Sequence, residues 1–223
     1  MIITDAKYLL EIEIHENQIP VLVLEDPAIF SDIISEFYRQ TAGEDGNIVL
    51  SEQNKLLSVS KSVLIISDYF SLDLNNRKIQ NQLFQQLEDT CVDLGMLKDE
   101  FTRQGIEIID RALLSSQFDH VSYNLEISWN DIFKLFQVKI EEDYITLQEK
   151  LISFLRVCAQ LLKLKLLVFV NLKAYLSEKE LLEVYDMATY LKIQLLLIES
   201  HENINLSQEK YYIIDKDKCL IIK

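Results

Sequence analysis

Glycine and proline are scarce in this sequence, which has four glycines and two prolines among 223 residues. All four glycines lie between positions 43 and 105, so residues 106–223 cannot contain a glycine-rich phosphate loop. Neither GxxxxGK(S/T) nor GxGxxG occurs anywhere, although such loops hold nucleotide phosphates through backbone N–H groups. The sequence therefore argues against a hydrolase that binds a nucleoside triphosphate in the usual way.

Cysteine is also rare, and long uncharged apolar runs are absent. Cys91, Cys158 and Cys219 are far apart, odd in number and without a CxxC spacing, as is typical of a reducing compartment. Charged residues such as Asp5 and Lys7 interrupt the segment where a signal peptide would need an apolar core. No stretch approaches 18 uncharged apolar residues. We therefore expect a soluble cytoplasmic protein with no membrane partner.

Basic residues are also few. The sequence has 22 Lys and Arg against 36 Asp and Glu, which gives a net charge of −14. DNA-binding proteins usually carry a basic excess. The segment 150–176 is an exception, since it contains five basic residues and no carboxylate: Lys150, Arg156, Lys163, Lys165 and Lys173. Arg156 and Lys163 lie one heptad apart on a predicted helix, which would form a positive stripe. Lysines that extend from an apolar helix, or that lie at its C-terminus, explain the same pattern without DNA.

With 49% hydrophobic residues, the chain can bury a substantial core. The apolar run at 19–25 predicts a strand buried on both faces, followed by a helix that Asp26 caps and Pro27 begins. Further along, Ser177 and Glu180 form a capping box for a helix that lies between the apolar strands KLLVFV and QLLLIES. This strand–helix–strand spacing predicts a parallel βαβ unit.

We therefore predict an α/β fold whose head domain, 1–70 with 138–223, has a parallel-type sheet flanked by helices. The segment 71–137 has helical apolar spacing and predicts an inserted all-helical leg. Within the head domain we expect a strand at 137–143 and one long helix over about 144–164.

An acidic segment, FDHVSYNLEISWND at 118–131, is the clearest candidate for a metal site. Its carboxylates and carbonyls are the hard oxygens that Ca²⁺ prefers, although no EF-hand loop is present. A solvated acidic edge explains the same residues. Catalytic patterns are weak, because HExxH and GxSxG are absent and Asp26, which ends a buried strand with Glu25, is accounted for as a helix cap.

Several segments together resemble one family. VLVLED at 21–26, KLLVFVN at 165–171, AYLSEKELLEVYDMATYL with QLLLIES over 174–200, and YYIID at 211–215 resemble the short-form type II-A CRISPR adaptation protein in order and spacing. The resemblance implies a head related to the P-loop hydrolase core but lacking the phosphate loop, a helical leg, and a ring-shaped homotetramer. It also implies bound calcium, and double-stranded DNA with free ends threaded through a lysine-lined hole during spacer acquisition. The implied protein partners are the CRISPR integrase and the effector nuclease.

The resemblance also suggests site residues. It places calcium near Asp119 and Glu126, and for the implied DNA, position and charge favour the basic residues Lys134, Lys139, Lys150, Arg156 and Lys163. The leading hypothesis is a non-enzymatic, sequence-independent DNA clamp. The alternative is a metal-dependent nuclease or a degenerate nucleotide hydrolase that uses Asp119, Glu126 and Glu25, and a third possibility is a purely structural scaffold.

Overall fold

The computed structural model describes residues 1–117 and 120–223. The chain divides into two compact units, which we call the head unit (Met1–Leu72 with Asp143–Lys223) and the helical unit (Asp73–Glu142). The head unit is mixed α/β, in agreement with the predicted fold class. The sequence-based limits of the inserted domain stay a prediction.

Ten strands of the described residues build two sheets in the head unit. They are β1 (Ile2–Asp5), β2 (Leu10–Glu13), β3 (Ile19–Leu24), β4 (Ile48–Glu52), β5 (Lys55–Leu57), β6 (Val63–Ile66), β7 (Leu166–Val170), β8 (Gln194–Glu199), β9 (Glu209–Ile214) and β10 (Leu220–Ile222). The smaller sheet is antiparallel, in the order β2-β1-β4-β5. The larger has the order β10-β9-β3-β8-β7-β6, and all of its neighbours are parallel except β10 and β9.

Seven helices connect these strands or form the helical unit. They are α1 (Pro27–Thr41), α2 (Val59–Ser62), α3 (Arg77–Thr90), α4 (Gly95–Leu114), α5 (Trp129–Leu135), α6 (Leu147–Val157) and α7 (Glu178–Tyr190). Among the described residues, no helix is both long and apolar enough to cross a membrane.

The centre of the larger sheet forms the core of the head unit. Every residue of β3 and of β7 is buried, because these parallel strands are covered on both faces. Burial of each Val, Leu or Ile side chain contributes about 1.5–3 kcal/mol relative to its exposure. The prediction of a strand from the continuous apolar run at 19–25 is confirmed.

Helix ends follow the predicted capping residues. The Asp26 carboxylate accepts hydrogen bonds from the Ala28 N–H (2.7 Å) and the Ile29 N–H (3.4 Å), and Pro27 is the first residue of α1. At α7 the capping box is present, and the Ser177 hydroxyl and N–H lower the pKa of the Glu180 carboxyl. The predicted parallel unit β7-α7-β8 is also confirmed.

One prediction near residue 150 is wrong, and another is confirmed only in part. Residues 137–143 form no strand, whereas the predicted helix is present but begins at Leu147, after the Thr146 cap, and its α-helical part ends at Val157. A single π-helical segment, Cys158–Leu162, follows, and Lys163 then takes a left-handed conformation with φ 51°. Because a π-helical turn contains more residues than an α-helical turn, Arg156 and Lys163 do not continue one α-helical face.

The helical unit packs around aromatic rings. The Phe84 ring centroid of α3 lies 5.5 Å from that of Phe133 on α5, and the Trp129 ring stacks on Phe133 at 6.1 Å. By contrast, α4 has no buried residue among those described, although it is 20 residues long. Apolar side chains of α4 are therefore left facing solvent in the single chain.

Candidate functional site

The basic segment 150–176 does not act as one surface, because the fold buries two of its five cations and pairs a third, Lys165, with a glutamate. Lys150 is 9% exposed, its Nζ donates to the Phe70 carbonyl at 2.8 Å, and it lies 5.5 Å from the centre of the Tyr144 ring. This ammonium already has a main-chain acceptor inside the head unit. We therefore leave Lys150 out of the DNA-binding set proposed below.

Lys173 is the most completely enclosed cation of the segment. Its Nζ lies 2.8 Å from both Glu209 carboxylate oxygens, 2.6 Å from the Tyr211 hydroxyl and 2.7 Å from the Ile204 carbonyl, and its side chain is 4% exposed. Tyr185 donates a further hydrogen bond to Glu209 at 2.8 Å. This arrangement is a buried structural ion pair, and its lysine cannot reach a ligand.

A buried carboxyl group, which the sequence analysis did not find, lies next to this pair. Glu199 ends β8 and is 1% exposed; its Oε1 accepts from the Lys173 N–H at 3.1 Å, and its Oε2 is buried without a hydrogen-bond partner. Burial raises the pKa of Glu199 to about 7, although the Lys173 N–H opposes the shift. A lone acidic residue at the end of the apolar run QLLLIE was the signal in the sequence.

Two of the predicted head-unit cations remain available. Arg156, in the last turn of α6, and Lys163, after the π-helical segment, are both exposed. Neither forms an ion pair within the described ranges. Lys165, which the sequence grouped with them, pairs with Glu52 at 3.1 Å and is also exposed. The head unit therefore offers cations at its surface despite the net charge of the chain.

The helical unit carries the two other predicted cations. Lys134 lies in the last turn of α5, Lys139 follows that helix, and both are exposed. Neither forms an ion pair in the part of the chain that the structure describes. The nearby Asp131 is occupied with the Ser128 cap, whose hydroxyl and N–H lower the pKa of the Asp131 carboxyl. Both lysines are therefore exposed to a polyanion, although the Lys134 charge also helps to lower the pKa of the Asp131 carboxyl.

The acidic segment gives less support for a metal. Glu126 is exposed and lines a groove of about 790 Å³, which also contains Asp99 and Asp131 but is shared with the cations Lys98 and Arg103. Across residues 1–117 and 120–223, no three His, Cys, Asp or Glu side chains are grouped closely enough to hold a metal ion. Asp119 lies outside the described residues. The described residues of one chain therefore offer no cluster of three carboxylates around which a calcium site could form.

The end of β3, where an α/β protein often binds a ligand, is occupied by the chain itself. The first turn of α1 would present its free N–H groups to a phosphate in a nucleotide-binding protein. Here the Asp26 carboxylate accepts hydrogen bonds from two of these groups, at Ala28 and Ile29. A bound phosphate would have to displace this carboxylate and would be repelled by its charge.

Comparison with known proteins gives one family match and relatives that cover most of the chain. The model of the CRISPR-associated protein (Cas_Csn2) family matches residues 40–218. A "CRISPR-associated protein Csn2" of Streptococcus agalactiae is 27% identical over 204 residues, which cover 90% of this chain and 89% of the relative. A protein of the same name from Enterococcus faecalis is 26% identical over 212 residues, which cover 94% of both chains. The family match extends over most of the chain, from α1 to the turn before β10, and this chain therefore belongs to the Cas_Csn2 family of CRISPR-associated proteins.

Proposed function

We propose that this protein binds double-stranded DNA, particularly free ends, without sequence preference and without enzymatic activity, during CRISPR spacer acquisition. The observation that carries the proposal is a set of exposed cations without ion-pair partners among the described residues, in a chain whose net charge is −14: Lys134, Lys139, Arg156 and Lys163. Lysine and arginine at such positions release condensed counterions when they contact phosphates. They contact backbone phosphates and carry no base-reading geometry, so we expect sequence-independent binding.

The negative average charge is compatible with this function if the subunits form a ring. Four copies would bring the same few cations together on an inner wall, while the acidic exterior would repel DNA. We therefore propose a homotetramer as the DNA-binding form. In this view the integrase and the effector nuclease of the CRISPR system are the protein partners.

Exposed apolar side chains in the helical unit support self-association. Met96 and Leu114, at the two ends of α4, are each 87% exposed, and Phe136 after α5 is 64% exposed. Exposed apolar patches often mark protein–protein contacts, and α4 also leaves Leu97 and Ile108 exposed between these two ends. A second copy of the chain would cover them in the proposed ring.

Calcium stays a prediction that concerns the assembled protein. Glu126 is accessible to a metal ion, but no two further His, Cys, Asp or Glu side chains of the described residues join it in a metal-binding group. A calcium ion would need oxygens from another subunit or from Asp119, which lies outside the described residues. Removal of calcium would then weaken the tetramer before it changed the fold of a single chain.

The enzymatic alternative has less support. A nucleotide hydrolase needs a phosphate site, and Asp26 occupies the helix N-terminus where that site would lie. A metal-dependent nuclease would need Asp119, Glu126 and Glu25 around one ion, and Asp119 lies outside the described residues. We propose that neither reaction is catalysed.

A mobility-shift experiment tests the proposal. The protein is titrated against the same duplex in linear and in closed circular form, once with calcium and once with a chelator. We expect retention of the linear form, weaker retention of the circle, loss of both in chelator, and no cleavage of DNA or hydrolysis of ATP. Equal retention of circle and line would contradict end binding, and turnover of either substrate would favour the enzyme.

A further inference from the structure

The two edges of the parallel sheet differ in charge. The strands β6, β7, β8, β3 and β9 run in the same direction, so all of them begin at one edge and end at the other. The four residues before each strand contain one carboxylate, Glu16, and four lysines: Lys61, Lys163, Lys165 and Lys192. The four residues after each strand contain three lysines and six carboxylates: Glu25, Asp26, Asp68, Glu202, Asp215 and Asp217. The starting edge is therefore basic, and the finishing edge is acidic.

Strand register places the basic residues side by side. Main-chain hydrogen bonds join the Lys165 N–H to the Ser62 carbonyl (2.9 Å) and the Gln194 N–H to the Lys165 carbonyl (3.3 Å). Ser62 and Gln194 therefore flank Lys165; Lys61, in α2, precedes Ser62 by one residue, and Lys192, after α7, precedes Gln194 by two. Because neighbouring strands lie about 4.8 Å apart, the backbone at Ser62 and at Gln194 is separated by about 10 Å, and the two lysines lie within two residues of these points. This spacing allows several lysines to contact consecutive phosphates of one nucleic-acid strand.

These lysines are accessible. Lys61, Lys163 and Lys192 are exposed and form no ion pair in the described ranges, while Lys165 has a single partner, Glu52. Lys55 lies opposite Glu52 in the β4-β5 hairpin and adds a further exposed cation beside that carboxylate. The basic edge therefore keeps an excess of positive charge after its ion pair is counted.

Backbone conformation gives a second, independent observation. Lys163 (φ 51°) and Lys192 (φ 58°) are both left-handed, and both end a helical segment. At α7 the Ile193 N–H bonds the Ala188 carbonyl at 2.9 Å, which places Lys192 where such helix ends usually have glycine. A non-glycine residue in this conformation costs about 1–2 kcal/mol. The backbone alone would therefore favour glycine at both positions, yet both positions carry a lysine.

We propose that this starting edge of the sheet, formed by Lys61, Lys163, Lys165 and Lys192, binds the sugar–phosphate backbone of nucleic acid together with Lys55 of the β4-β5 hairpin. The proposal rests on the DNA-binding function proposed above and assigns it a surface on the head unit. The acidic finishing edge of the same sheet repels phosphate, so DNA approaches the head from one side. Four of these five lysines lie outside the set that the sequence predicted.

Glycine substitutions separate charge from folding at this surface. Lys163→Gly and Lys192→Gly each remove one cation while giving the backbone the residue that a left-handed conformation prefers. Lys218→Gly is the matched control, because Lys218 is also exposed and left-handed (φ 64°) but follows β9 at the acidic edge. Lys163→Asn and Lys192→Asn repeat the test with a second residue that tolerates this conformation. Thermal unfolding of each variant verifies that it folds.

The measured quantity is the affinity for a linear duplex as salt is varied. Each lost phosphate contact makes the fall of log K with log salt shallower by about 0.9. At about 0.1 M salt this corresponds to a roughly eightfold weaker affinity. We expect this loss for the Lys163 and Lys192 variants and no change for Lys218→Gly. Wild-type-like binding by both edge variants, with the wild type still retaining duplex, would overturn this surface and remove Lys163 from the cation set proposed above, while the DNA-binding function itself would stand. Failure of the wild type to bind any duplex would overturn the proposed function as well.

Discussion

Replacement of Lys173 by methionine should destabilise the head unit without affecting a DNA contact. Lys173 and Glu209 are both enclosed, so the substitution leaves a buried carboxylate that keeps only neutral donors, the Tyr185 and Tyr211 hydroxyls and the Leu206 N–H. Removal of one partner of a buried pair typically costs about 3–5 kcal/mol. Methionine retains most of the apolar stem, so the loss comes mainly from the unpaired charge.

Lys165→Met provides the matched control for this substitution. Lys165 lies in the same basic segment and also pairs with a glutamate, but the Lys165–Glu52 pair is solvent-exposed. Exposed pairs contribute about 0–1 kcal/mol. In a protein of this size, about 1 kcal/mol shifts the melting temperature by about 2–4 °C. We therefore expect a drop of about 6–20 °C for Lys173→Met and at most about 4 °C for Lys165→Met.

Urea and thermal unfolding followed by circular dichroism measure the difference. Addition of Glu209→Gln to Lys173→Met removes the unpaired, buried Glu209 charge and should recover more than half of the lost stability. Duplex binding by folded Lys173→Met, measured well below its melting temperature, should equal that of the wild type. If Lys173→Met were as stable as Lys165→Met, the buried ion pair described here would be refuted.

Two further predictions concern the sheet ends. The raised pKa of Glu199, about 7 against a usual 4.5, means that folding disfavours its ionised form, so stability falls as pH rises from about 4.5 to 7. Glu199→Gln should therefore stabilise the protein more at pH 8 than at pH 5, by about 3 kcal/mol at most in urea unfolding; an equal effect at both pH values would contradict this. Asp26→Ala should lower stability by about 1 kcal/mol through loss of the α1 cap, whereas Glu25→Ala should leave the urea midpoint unchanged.

Local signals in the sequence predicted much of the head unit. Asp26, and Ser177 with Glu180, determine helix starts through hydrogen bonds to residues two or three positions away, and these bonds depend little on the rest of the fold. The apolar runs at β3 and β7 likewise predict strands covered on both faces. Such features can be inferred without knowledge of distant contacts.

The hydrogen-bond or ion-pair partner of each lysine, and whether the lysine is buried, could not be inferred in this way. Lys150 donates to a carbonyl 80 residues away, and Lys173 pairs with Glu209, 36 residues further along the chain. The tertiary arrangement of helices and strands brings these partners together, and sequence spacing does not reveal that arrangement. Strand order gathers Lys61 and Lys192 near Lys165, although more than 100 residues separate the first two in sequence. Charge counted along the chain therefore differs from charge at a surface.

The salt dependence of wild-type binding to two linear duplexes of unrelated sequence tests the central claim most directly. Both duplexes should bind equally well at each salt concentration, and log K should fall linearly with log salt by about 0.9 for each phosphate contacted. With several exposed lysines and arginines engaged per ring, a slope of several units is expected. Affinity that does not change with salt, or that differs strongly between the two sequences, would contradict a backbone-binding clamp.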